Sequence, residues 1–98
     1  MEGTAAMADE HEIQIKIPEG ILRGVYANQM VVRHSREEFV IDFINVCPPE
    51  GIVNARVIVS PGHLKRMIAA LAENLSRYEQ RFGAVTTSEP PPETKYQN

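Results

Sequence analysis

The chain has 98 residues, 43% of them hydrophobic and 23% charged, which is room for one ordinary globular domain. A net charge of −3 and a pI near 5.6 argue against nonspecific binding to nucleic acid or to an anionic membrane. The single cysteine, Cys47, excludes an intrachain disulfide and a CxxC site, and no apolar run approaches the ~18 residues that cross a bilayer.

Residues 1–11 carry neither the basic region nor the apolar core of a signal peptide. They are expected to form a disordered leader on a cytoplasmic protein. Ile13, Ile15 and Ile17 then alternate with Glu12, Gln14 and Lys16, the period of a strand with one buried face. Pro18-Glu19-Gly20 ends it, since proline cannot extend a ladder and glycine frees a turn.

Gly24 to His34 reads as a second strand and Glu38 to Val46 as a third. The short polar link His34-Ser35-Arg36-Glu37 between them predicts an antiparallel hairpin. Its expected register pairs Arg33 with Glu38, Val32 with Phe39 and Met30 with Ile41, so that opposite charges meet and large apolar groups stack. Asp42 then lies opposite Gln29, and Asn28 lies next to Phe43. Both faces of this sheet are largely apolar, with Val31, Val40 and Ile44 on one side and Met30, Phe39, Ile41 and Phe43 on the other.

Cys47-Pro48-Pro49-Glu50-Gly51 is a loop by composition. A fourth strand is expected over Ile52 to Val59, with Val53, Ala55, Val57 and Val59 sharing a face. The helix that follows, Ser60 to Gly83, has its signals in place. Ser60 can cap the free amides of the first turn, Pro61 suits the first helical position, Gly83 suits the closing residue, and Arg77 and Arg81 favour the negative end of the dipole. From residue 86 the proline-rich stretch to Asn98 reads as a disordered tail. One domain, residues 12–85, is the result. Its fold class is α+β, a four-stranded antiparallel sheet followed by one long C-terminal helix (β-β-β-β-α).

Leu64, Ile68, Leu71, Leu75, Tyr78 and Phe82 recur at steps of four and three, an a/d seam suited to knobs-into-holes packing. Met67 and Ala72 widen it toward the stripe of a helix lying on its own sheet. A sheet that is apolar on both faces needs two covers and the chain has one helix. The second cover is therefore expected from another copy of the chain, with an interface built from that seam together with Val31 and Val40.

No catalytic, cofactor-binding or metal-binding residue is expected. His34, Ser35 and Glu38 cluster at an exposed turn, where polar residues belong in any case. His11, His34 and His63 sit on three different elements without metal-ligand spacing. The glycines compose no phosphate loop, and Arg33, Arg36, Lys65 and Arg66 are too scattered for a nucleic-acid stripe. Asp42 is the exception, a carboxylate in mid-strand that must be paired, hydrogen-bonded or functional, with Arg56, Lys65 or Arg66 as candidate partners. Asn28 is the second candidate buried polar group, expected to be a satisfied amide. Tyr96 is either a docking residue or simply part of a disordered tail.

The motifs Gly24-Val25-Tyr26-Ala27-Asn28, Glu38-Phe39-Val40-Ile41-Asp42-Phe43, Ser60-Pro61 with Lys65, and Tyr78-Glu79 with Phe82-Gly83 together resemble the small bacterial and archaeal family known as domain of unknown function 3467, over Ile13 to Val85. The resemblance implies a compact cytoplasmic domain without an assigned activity and transfers no site residue. By order of elements alone, the chain is also similar to the export chaperone SecB, a tetramer. The expected function is a non-enzymatic, homo-oligomeric protein-binding or assembly module. The alternatives are a SecB-like chaperone or adaptor for protein clients, and a small-ligand protein or enzyme using Asp42.

Overall fold

A computed structural model describes residues 12–97. The expected leader, residues 1–11, lies outside the described residues. Strands β1 (Gln29–His34), β2 (Phe39–Cys47) and β3 (Glu50–Val59) form an antiparallel sheet in the order β1-β2-β3, and helix α1 (Pro61–Phe82) follows. The class is α+β as expected, but the sheet has three strands rather than four. Among the described residues, Ile13 to Ile17 joins no ladder and stands exposed. Alternation gives a segment a face to bury, yet a strand also needs a partner edge for its backbone groups. The 3-10 turn over Glu19–Ile21, closed by Ile21 N–H to the Pro18 carbonyl at 2.9 Å, does not bring it to one.

The hairpin forms one step away from the expected register. Its loop is Ser35 to Glu38, closed by Ser35 N–H to the Glu38 carbonyl at 3.0 Å, and the ladder begins with His34 opposite Phe39. Val31 therefore faces Asp42, and Met30 faces Phe43. The exposed Arg33–Glu38 ion pair would contribute little. The His34 and Phe39 rings instead stack with centroids 5.2 Å apart, a contact of the kind that stabilises cross-strand pairs. Moving the loop by one residue shifts each partner by two, so every side chain keeps its expected face.

In β3 the faces do change. Phe43 pairs with Ala55, but the next residue, Ile44, pairs with Val53, leaving Asn54 as the extra residue of a bulge. Ala55, Val57 and Val59 share one face, as expected. Val53 is displaced to the other, beside Ile44 and Asp42. Strict alternation misplaced it because a bulge adds one residue to the count.

Helix α1 keeps its expected bounds. Ser60 Oγ accepts from His63 N–H at 3.1 Å, and Gly83, at φ 98° and ψ 167°, donates its N–H to the Glu79 carbonyl at 2.8 Å. Only glycine takes that backbone region readily. The expectation that this helix covers its own sheet does not hold, since no helical residue is buried. Ser60 alone separates β3 from α1, and a one-residue junction is shorter than the connections that fold a helix back over a sheet. Leu64 and Met67, nearest the junction, are half-buried. Farther along, Ile68, Leu71, Leu75, Tyr78 and Phe82 are exposed, Leu71 by 67%. The core proper is small: Ile41 on one sheet face and Ile44 on the other, with Asp42 between them in sequence.

Candidate functional site

Asp42 is in the central strand, and its exposure is 0%. A carboxylate there must find donors in its neighbours. Register supplies the first: Arg56 is its cross-strand partner on β3. Arg56 Nε donates to Oδ1 at 2.7 Å and Nη2 donates to Oδ2 at 2.8 Å, the two-pronged geometry that a guanidinium offers a carboxylate. Arg33 sits one step diagonally away on β1, with Nη2 3.6 Å from Oδ2. The fourth member comes from the tail, where Tyr96 Oη donates to Oδ2 at 2.6 Å. The Arg33 guanidinium also lies over the Tyr96 ring, 5.4 Å from its centre, a cation–π contact that favours the same placement of the ring.

These contacts fix the charge state. The Arg56 hydrogen bonds, with the Tyr96 hydroxyl next in weight, hold the Asp42 carboxyl well below the usual carboxylate range; burial opposes this and loses. Arg56 is raised in turn by its hydrogen bonds to Asp42. A carboxylate held this firmly ionised anchors donors; a general base works best with a pKa near the operating pH.

The expected partner Arg56 is thus present, whereas Lys65 and Arg66, on the exposed helix, make no ion pair with Asp42. Asn28 is exposed rather than buried, and pairs beside Val46 rather than Phe43. Its side chain extends the β1–β2 ladder by accepting from Val46 N–H at 2.8 Å and donating to the Val46 carbonyl at 3.0 Å. Val31 and Val40 are half-buried on the Asp42 face. Cys47 is an exposed free thiol. Among the described residues no three His, Cys, Asp or Glu side chains gather as a metal site, and no helix is long and apolar enough to cross a membrane.

Arg33 and Tyr96 were not foreseen in this cluster. The parity of Arg33 on its strand places it on the Asp42 face, so the signal was present in the sequence. For Tyr96, 54 residues from Asp42, no periodicity could have shown the contact. The tail that carries it, Pro92 to Gln97, forms one wall of an open groove of about 840 Å³, with Pro48, Pro49, Ile52 and Val53 opposite.

No curated protein and no solved structure gives a significant match to this chain. A family model does. The family described as protein of unknown function (DUF3467) matches residues 1–87, a span that includes Arg33, Asp42 and Arg56 and stops before Tyr96, and the chain belongs to that family.

Proposed function

We propose that this chain is a non-enzymatic, homo-oligomeric assembly module whose helix seam is buried against a second copy. The observation that carries this reading is the row Ile68, Leu71, Leu75, Tyr78 and Phe82, all exposed in the single chain. Large apolar side chains in a contiguous stripe mark an interaction surface. The partner is another copy because steps of four and three make a seam that packs against its own kind. The polar flank fits too, with Glu73 and Arg77 paired at 2.6 Å along the helix and the apolar seam left clear.

Native mass spectrometry at micromolar concentration tests this directly. The wild type should run as a dimer or higher oligomer, and Leu71→Asp or Leu75→Asp should lower the mass. A folded wild-type monomer, or unchanged assembly in both variants, would overturn the reading.

A second reading, an adaptor or chaperone that holds extended client segments, is favoured by the open groove that Pro48, Pro49 and Val53 form with the tail. It predicts that the chain suppresses client aggregation and that removal of residues 88–98, which takes away one wall, weakens the suppression. Absence of suppression across several clients, with or without the tail, removes this reading.

A further inference from the structure

Two features of the chain are incomplete in complementary ways. The first is the segment Glu12 to Ile17. It has the alternation of a half-buried strand, yet it pairs with nothing among the described residues, and Ile13 and Ile15 are 83% and 84% exposed. The second is the outer edge of β3. Among the described residues this ten-residue strand pairs with β2 on one side alone. Beyond its bulge, Ala55 to Val59 contain no proline and no lysine, and Val57, on the face away from Asp42, is 38% exposed. A long apolar edge without such protection is a template for another strand. The opposite edge of the sheet, β1, is shorter and ends in Arg33-His34.

From this complementarity we infer that Glu12–Ile17 of one copy adds as a fourth strand to the β3 edge of another, over its Ala55–Val59 half. This rests on the assembly reading above and names a contact distinct from the helix seam. Length agrees, because six residues at ~3.3 Å each span about 20 Å, close to the five-residue half strand they would cover. Among the described residues no further strand pairs with this edge. Facing also agrees. The Asp42 side of the sheet is crossed by the tail through Tyr96. Ile13, Ile15 and Ile17 therefore turn toward the side of Val57 and Val59, leaving Glu12, Gln14 and Lys16 on the side of Arg56. Main-chain hydrogen bonds supply the attachment and alternate side chains the register, as in strand addition generally.

The test uses full-length chains in a Cys47→Ser background. One set carries Ile13→Cys, Ile15→Cys or Ile17→Cys, and the other carries Val57→Cys. Mixed and mildly oxidised, at least one pairing should form a disulfide-linked heterodimer several-fold more efficiently than Gln14→Cys does with Val57→Cys. Amides of residues 13–17 in the unmodified oligomer should exchange at least tenfold slower than in a free peptide of the same sequence. An oligomer with no cross-linking and unprotected amides would overturn this inference and leave the helix-seam assembly standing. Cross-linking only when both cysteines are on one chain would also overturn it, showing that the segment returns to its own sheet. A monomeric wild type would remove both readings together.

Discussion

Tyr96 reaches back across 54 residues to place its hydroxyl 2.6 Å from Asp42 Oδ2, and by doing so fastens a stretch without regular secondary structure to the central strand of the sheet. Hydrogen bonds to an ionised acceptor are stronger than neutral ones, and the loss of one is worth about a tenfold change in an opening equilibrium. Tyr96→Phe should therefore increase amide exchange of residues 94–97 by about that factor without altering the strands. Arg33→Ala, which removes the cation over the ring, should act in the same direction and less strongly.

Asp42 and Arg56 should respond very differently to substitution from one end or the other. Asp42→Ala removes the buried acceptor that Arg56 and Tyr96 share, while the guanidinium groups of Arg33 and Arg56, 48% and 51% exposed, stay within reach of water. The loss is that of hydrogen bonds to an ionised acceptor, and the melting temperature should fall by about 4–8 °C for each kcal/mol lost in a domain of this size. Arg56→Lys keeps the charge and loses the two-pronged contact, so its melting temperature should lie between those of the wild type and Asp42→Ala. Equal melting temperatures in all three would show that the pair is not coupled to folding.

Acid should reveal the same pair. The folded-state pKa of Asp42 is depressed, so its stabilising contribution is present in full above the unfolded carboxylate value of about 3.9. It is lost as pH falls below that value toward the folded one. The stability difference between wild type and Asp42→Asn should be constant from about pH 5 upward and shrink below about pH 4. A difference that instead grew on acidification would reverse the assignment.

The two ends of α1 give a local check. Ser60→Ala removes the acceptor for His63 N–H and should cost about 1 kcal/mol. Gly83→Ala must hold a side chain at φ 98°, a region costing about 1–3 kcal/mol. Both are read by urea denaturation. Open space surrounds the Gly83 Cα, so the whole effect there belongs to the backbone.

Local chemistry was legible in the sequence and long-range placement was not. The helix bounds followed from Ser60, Pro61 and Gly83, whose preferences act within a turn of where they stand. The faces of β1 and β2 followed from period two, and Arg56 stood among the candidate partners of Asp42. What escaped has a common cause. Ile13 to Ile17 has the pattern of a strand, but pattern measures the capacity to pair and not the presence of a partner. The stripe of α1 reads the same whether a helix lies on its own sheet or on a neighbour, and the one-residue junction at Ser60 decides against the first in the single chain. Tyr96 was left to disorder because proline-rich composition describes average behaviour, whereas its attachment depends on one hydroxyl and one carboxylate.

The bulge at Asn54 divides β3 into two lengths that run out of phase. On the Val59 side, even-numbered residues share the Asp42 face, and on the Glu50 side odd-numbered residues do. Arg56 can meet Asp42 while Val53 sits beside Ile44 because Asn54 is left out of the pairing between them. Deleting Asn54 would leave both contacts in place: Val53 would follow Ala55 directly, and plain alternation would put it on the face it already occupies. What the deletion would remove is the hydrogen bond that Asn54 Nδ2 donates to the Tyr26 carbonyl at 2.7 Å. The extra residue thus ties the approach to β1 onto β3 and leaves the contents of the two surfaces as they are.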